Sequence, residues 1–233
     1  MRSMSCKFLV KGILILLFAI IGSYVIYNLP VDVEYKLKNI DLNKYKNVMI
    51  VAHPDDEMIW GGAHLIEDDY LVVCITCGNK KTRLKEFKKV MEETGDSYIT
   101  LGYPDKTDGE INDWNKFYKD IYKDVEIILG SNDWNLIVTH NSVGEYGHIQ
   151  HVKTNNIVTD IYDEKFFSSK LYFFGKYYSK KNIVKVEDSL ISISDKLLDR
   201  KKEILELYES QFLVVENLKH MQKFEMWEEY RSE

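Results

Sequence analysis

One imidazole and three carboxylates stand within five residues, His53-Pro54-Asp55-Asp56-Glu57, directly after the apolar run Val48-Met49-Ile50-Val51. A buried strand that ends in such a cluster delivers several charged side chains to one edge of a sheet. Like charges crowded there are costly unless something offsets them, and a divalent metal is the usual answer. A second group, Gly147-His148-Ile149-Gln150-His151, follows far downstream. Catalytic zinc commonly takes three His, Asp or Glu ligands and keeps one position open. His53 and Asp56 can reach one ion from a tight turn. His148 and His151 are three apart, so on opening a helix they share a face, and one can ligate while the other faces a substrate. Either group alone is a weak signal. The two together, each at a predicted strand or helix boundary, supply the parts of a metal-dependent hydrolase.

The elements that must position them alternate. Short apolar runs predict strands over Asn47–Ala52, Tyr70–Thr76, Tyr98–Leu101, Leu136–Thr139 and Leu171–Phe174. Leu84, Phe87, Val90 and Met91 form one stripe of a helix over Thr82–Glu93, which Gly95 closes. Further helices are expected over Trp114–Leu129, His151–Tyr162 and Asp195–Tyr208, and one carrying His64 after the first motif. Alternation of this kind implies an α/β fold, a Rossmann-like three-layer sandwich around a mostly parallel sheet. Ligands of such sheets bind beyond the carboxyl ends of the strands, where His53–Asp56 and His140 fall.

The chain has 233 residues, enough for one domain with a substantial core once an N-terminal hydrophobic segment is set aside. That segment, Gly12–Tyr27, carries no charge and follows Arg2, Lys7 and Lys11. It reads as an uncleaved signal anchor, with a cleaved signal peptide as the alternative. The expected division is a cytoplasmic leader and transmembrane helix over residues 1–30, a tether over 31–45 and the folded domain over 46–233. The basic leader places that domain outside the cell membrane, by a margin that Lys36 and Lys38 narrow. A net charge of −6 argues against a general nucleic-acid binder. Of the three cysteines, Cys74 and Cys77 lie in a predicted strand and read as plain buried residues rather than a redox or zinc pair.

A-H-P-D-D-E after a strand, followed by G-H-x-x-H, resembles the PIG-L, or LmbE-like, family of N-acetylglucosaminylphosphatidylinositol de-N-acetylases. The resemblance runs from about Val48 to Gln211. Arg83 and Glu86 match its R-x-x-E helix start, and Leu101–Asp105 resembles its loop before a substrate-contacting Asp. Thr139-His140-Asn141 through Gly144–His148 looks like bacterial members, and Tyr208–Gln211 resembles the late Y-x-S-Q. The resemblance implies zinc held by His53, Asp56 and His151. Asp55 would be the general base toward a water that attacks an acetamide carbonyl. His148, if protonated, would stabilise the oxyanion or protonate the departing amine. Arg83, Asp105, His140 and Tyr146 are candidate substrate contacts, although His140 also reads as a support behind the ligands or an alternative ligand. Tyr103 and Tyr146 adjoin the expected site and could stack on a sugar.

The implied activity is removal of an N-acetyl group from an N-acetylglucosamine-type sugar in a glycan, glycolipid or small glycoconjugate. An anchored enzyme would meet such a substrate at the cell surface, while eukaryotic relatives work on the cytosolic face of the endoplasmic reticulum. Two departures stand out. Many bacterial relatives have Pro-Asp where this chain has Ile149-Gln150, which bears on the tuning of His148. Relatives often have Asp at the position of Cys77, which bears on specificity. A metal-dependent esterase or other amidase would use the same water activation on a different carbonyl. A carbohydrate-binding or metal-storage module is the non-catalytic alternative, against which the presence of Asp55 speaks.

Overall fold

In the structure, a computed structural model, Gly12, residues 32–76, Gly78, residues 80–165 and residues 168–231 are described. The expected anchor, Gly12 apart, lies outside the described residues, as do Cys6 and Cys77. Among the described residues no helix is long and apolar enough to cross a membrane.

The chemistry-bearing turn is fed by β1 (Asn47–Val51), whose Val48 to Val51 are wholly buried. Its neighbour β2 (Tyr70–Thr76) is buried along its whole length. Runs that are apolar on both faces need cover on both faces, the signature of a parallel sheet between helices. The other strands are β3 (Ser97–Tyr103), the hairpin β4 (Lys106–Thr107) and β5 (Glu110–Ile111), β6 (Leu136–Thr139), β7 (Lys170–Phe173) and β8 (Glu228–Glu229). The main sheet runs β3-β2-β1-β6-β7-β8, parallel except for the β7–β8 pair. Strand order therefore reverses beside β1, between β2 and β6. In register, Val51 lies opposite Cys74 and Ile50 opposite Thr139, so β1 and β6 end side by side. His53 and His140 leave the sheet at this switch point, where the strand ends splay and open a crevice.

Strand alternation sends Met49, Val51, Val72 and Cys74 to one face. There they join a core with Met58 and Ile59 of α2 (Asp56–Glu67), Phe87, Val90 and Met91 of α3 (Lys81–Thr94), and Ile204 and Leu205 of a later helix, Asp195–Leu205. The helices α1 (Val33–Lys38), α4 (Tyr118–Leu129) and α5 (Ile149–Lys165) pack together, and α5 lies on β1 and β6. Ile121, Val125, Ile157, Val158 and Ile161 are among their fully buried side chains. Asp195–Leu205 is α6.

Several expected boundaries move, each for a local reason. The helix expected from Trp114 begins at Tyr118. Trp114 has φ 56°, its backbone N–H donates to Asn112 Oδ1 and its indole N–H to Pro104 O at 2.7 Å. Helix α6 ends at Leu205, three residues early, which frees Tyr208 to reach the site. Part of the expected tether is folded: α1 buries Val33 and Leu37, and a 3₁₀ turn follows over Leu42–Lys44. Cys74 is wholly buried, as read from its strand.

Asp96, just before β3, ties that strand to the start of β2: its Oδ1 accepts the Tyr70 N–H at 2.7 Å. Its Oδ2 is buried without a hydrogen-bond partner. Burial pushes this carboxyl up to about 7. A group whose folded-state pKa is raised in this way favours folding while protonated, and that contribution is lost as pH rises through about 7. Asp96→Asn should therefore gain in Tm relative to the unsubstituted protein between pH 5 and pH 8. A Tm difference that stays constant over that range would show that Asp96 ionises without penalty.

Candidate metal centre and active site

The turn after β1 is strained where chemistry is expected. Asp55 has φ 116°, a region that non-glycine residues rarely occupy and that tends to mark functional sites. Two contacts hold it. Its backbone N–H donates to Glu57 Oε2 at 3.0 Å, and Glu57 Oε1 accepts the Tyr208 hydroxyl. Asp56 opens α2 and folds back, its Oδ2 accepting the His53 backbone N–H at 2.8 Å.

Two overlapping sets of donors lie within 4.8 Å of one another: His53, His148 and His151, and Asp56, His140 and His151. Hydrogen bonding narrows the choice. His140 Nε2 accepts the Ala52 N–H at 3.0 Å, and its other nitrogen lies 3.0 Å from Glu145 Oε2, so His140 is occupied on both sides. The tightest remaining triad is His53 Nδ1, Asp56 Oδ2 and His151 Nε2, with separations of 3.2, 3.2 and 3.4 Å. Ligands about 2.0–2.1 Å from a tetrahedral zinc stand roughly 3.3–3.4 Å apart. The triangle therefore fits such an ion without rearrangement.

A second layer orients these donors. Glu145 Oε2 lies 2.5 Å from His151 Nδ1 and 3.0 Å from His140 Nδ1. Both rings thus present Nδ1–H to one carboxylate, which leaves His151 Nε2 with its lone pair toward the triangle. Glu145 itself has φ 55° and follows Gly144, where a Cβ would come within 2.9 Å of Val152 Cγ2. Its Oε1 accepts the Asn141 N–H at 2.9 Å. On the far side, Gln150 Oε1 lies 2.6 Å from His53 Nε2, so His53 donates there and keeps Nδ1 free.

The electrostatics follow from this packing. Burial opposes the charge on Glu145, but its two histidines outweigh burial and hold the carboxyl down at about 2. Burial likewise disfavours a charged His151, yet Asp56 and Glu145 raise it to about 10. A cation at the triangle would take that proton's place. Asp56 is held well below the ordinary carboxylate range, the His151 charge overriding burial. Asp55 moves the other way. Burial is the main cause and the neighbouring Asp56 adds to it, against the pull of Arg83. Glu57, fully buried, is pushed up to about 7 by the same desolvation. His148 is lowered to about 4, by burial first and then by the charges on His53 and His151. Its Nδ1 accepts the Gln150 N–H at 3.3 Å, so the neutral ring carries its proton on Nε2.

The expected site residues divide. His53, Asp55, Asp56, His148 and His151 come together. Arg83 and Asp105 meet beside them: Arg83 Nη1 donates to Asp105 Oδ2 at 3.3 Å, and its Nη2 donates to Pro54 O at 2.9 Å. Tyr146, 43 % exposed, has its ring centroid 5.6 Å from that of His151 and can form a wall of the mouth. His140, expected as a substrate contact or as a support behind the other histidines, is wholly buried and stacks on His151 at 3.9 Å. Tyr103 turns away, its hydroxyl donating to Asp124 and its ring against Phe117. His64 stacks on Trp227 at 3.6 Å, a structural role. Glu57, Glu145, Gln150 and Tyr208 were not among the site residues expected from the sequence. The late Y-x-S-Q carried the one usable signal: Tyr208 reaches Glu57, and Ser210 donates to Glu86 through both N–H and Oγ.

Replacing Glu145 with Gln removes the charge that orients two rings. Zinc affinity, measured by competition with a chromophoric chelator, should fall about 10–100-fold. Unchanged affinity would remove Glu145 from the metal's support.

Comparison with known proteins agrees with the geometry. An uncharacterized protein, L374, of Acanthamoeba polyphaga mimivirus is 33 % identical over 135 residues, 51 % of this chain and 58 % of its own length. This chain thus spans less than two thirds of that relative. The N,N'-diacetylchitobiose deacetylase of Pyrococcus horikoshii shares the fold at TM-score 0.60 and 15 % identity, over 91 % of this chain and 92 % of its own. The A40926 pseudoaglycone deacetylase Dbv21 does so at TM-score 0.55 and 16 % identity, over 74 % and 85 %. The 4-carboxy-2-hydroxymuconate hydratase GalB of Pseudomonas putida also shares it, at TM-score 0.53 and 13 % identity, over 75 % and 83 %. Residues 48–162, which carry both histidine motifs, match the family described as PIG-L: GlcNAc-PI de-N-acetylase, and through them the chain belongs to that family.

Proposed function

We propose that this protein is a zinc-dependent hydrolase that removes the N-acetyl group from an N-acetylglucosamine-type sugar in a glycan, glycolipid or small glycoconjugate. The observation that carries the reading is the near-equilateral triangle of His53, Asp56 and His151, with the raised carboxyl of Asp55 next to a ligand. Membership of a de-N-acetylase family supports it.

When bound, zinc supplies a Lewis acid for the amide carbonyl and makes water more acidic. The remaining work falls to the chain. Asp55 accepts a proton as water adds to the acetamide carbon. Its raised affinity for that proton suits a base that must later give it up. The neutral His148 donates its Nε2–H to the carbonyl oxygen as negative charge develops there. Collapse breaks the C–N bond, the proton held on Asp55 passes to the departing amine, and the acetic acid that remains gives up its proton to the free amine to leave acetate. Arg83 and Asp105 bind sugar hydroxyls or a neighbouring group, and Tyr146 offers an aromatic surface to the ring.

The test is release of free amine from N-acetylglucosamine oligomers and N-acetylglucosaminyl-inositol compounds, with zinc chelated and then restored. Activity should follow zinc. Asp55→Asn should keep the metal and lose about 10²–10⁴-fold in turnover. Release that persists after chelation would overturn the metal's role, and near-normal Asp55→Asn turnover would overturn the base. Zinc bound without release would remove the substrate reading alone. His151→Ala should abolish tight zinc binding, and retained binding would move the third ligand elsewhere. On its sequence, Gly12–Tyr27 is further proposed to anchor the enzyme in the cell membrane, with the domain outside. Extraction of the chain by alkaline carbonate would remove the anchor.

A further inference from the structure

Gln150 is wholly buried, and every polar atom of its side chain is engaged. Its amide nitrogen lies 3.3 Å from Pro104 O, 2.9 Å from Asp105 O and 2.8 Å from Asn112 O. Carbonyl oxygens only accept, so the NH₂ group must face them and Oε1 must face His53 Nε2, at 2.6 Å. The amide orientation is thus dictated by its surroundings, and with it the His53 tautomer.

The three carbonyls belong to the two feet of one hairpin. Pro104 and Asp105 precede β4, and Asn112 follows β5. The feet are tied to each other by the Asn112 N–H donating to Asp105 O at 2.9 Å. The hairpin itself is exposed, and each of its strands is two residues long. Strands so short have little stability of their own. Asp105, at the first foot, also accepts from Lys80 and Arg83 at 3.3 Å each.

We infer that Gln150 is a positioning residue that couples metal binding at His53 to the order of the Lys106–Ile111 hairpin beside the site. The inference rests on the metal site proposed above. One end of a single rigid amide fixes the ligand, and the other closes the feet of the hairpin. An ionised carboxylate at this position could hold the histidine but has no N–H to offer the carbonyls, so the coupling needs glutamine. Linkage makes the effect reciprocal. Metal that locks His53 onto Gln150 should order the hairpin, and a loosened hairpin should weaken the metal.

Hydrogen exchange of the full chain, read by mass spectrometry with zinc ion as the probe, tests this without any variant. Peptides covering residues 105–112 should exchange more slowly with zinc bound, while the buried strands Asn47–Val51 and Tyr70–Thr76 stay unchanged. Gln150→Met, which keeps length but neither accepts nor donates, should lower zinc affinity about 10–100-fold and speed exchange at 105–112. Gln150→Glu, which keeps the acceptor alone, should lose much less zinc affinity yet loosen the hairpin as Met does. Zinc binding that leaves hairpin exchange untouched would overturn the coupling and spare the metal site. A Gln150→Met protein with unaltered affinity and exchange would do the same. Failure of the unsubstituted chain to bind zinc would overturn both readings together.

Discussion

One carboxylate oxygen organises this molecule. Asp56 Oδ2 accepts the His53 backbone N–H and stands 3.2–3.4 Å from ring nitrogens of His53, His140 and His151. It is almost fully desolvated, so its charge must be met by nearby donors or cations rather than by water. Each of the three rings comes from a different segment: the β1 exit, the β6 exit and the start of α5. Their convergence depends on β1 and β6 ending in register at the point where strand order reverses. The sheet is therefore the device that fixes the spacing of the donors.

The remaining contacts around the site keep groups from satisfying one another wrongly. A cluster of histidines and carboxylates without constraint would collapse into ordinary ion pairs. Glu145 prevents this for His151 by taking its Nδ1, and Gln150 prevents it for His53 by taking its Nε2. Strain enters at Asp55 and Glu145, both at positive φ. It is offset by hydrogen bonds that only the folded chain can make. Tyr208 meets Glu57 across 151 residues of sequence, and Ser210 meets Glu86 across 124. The C-terminal segment is thus part of what holds the first motif in its working shape. Lys201 and Glu225 act similarly on α2. Fully buried, Lys201 donates to Ile59 O and Glu225, while Glu225 caps the Ala63 N–H beside the break at Gly61.

How much of this could be read in the chain depended on whether a residue's type had one physical use. The runs of β1 and β2 had one: nothing but a sheet covered on both faces buries Val48–Val51 and Tyr70–Thr76. A dense His-Asp-Asp-Glu turn was equally direct. Glu145 and Gln150 were opaque because glutamate and glutamine in a polar loop are ordinarily solvated, and only the fold reveals what they face. The Ile149-Gln150 departure was expected to bear on His148. The side chain instead engages His53, because the helix beginning at Ile149 turns position 150 inward. Trp114 was expected to open a helix, but its backbone N–H donates to Asn112 Oδ1 and a different backbone is set there. Val33 and Leu37 were hidden in a stretch too short and too charged to show helical periodicity, and tertiary packing decided for helix.

Fold likeness alone does not choose the reaction, since a hydratase shares this architecture with two deacetylases. The choice lies in how proton affinities are divided among adjacent carboxylates. Asp55 and Asp56 are neighbours in sequence and both are buried, yet one is pushed up and the other down. The difference is positional: Asp56 faces His151 and His140 directly, whereas buried Asp55 faces Asp56 and Glu57, with Arg83 at 3.9 Å and the more weakly felt His151 in partial compensation. A pair split in this way suits the proposed roles, with a cation held at one member and a proton moved at the other. That division of labour is what hydrolysis of an unactivated amide requires, because water must be deprotonated and a poor leaving group reprotonated at one place.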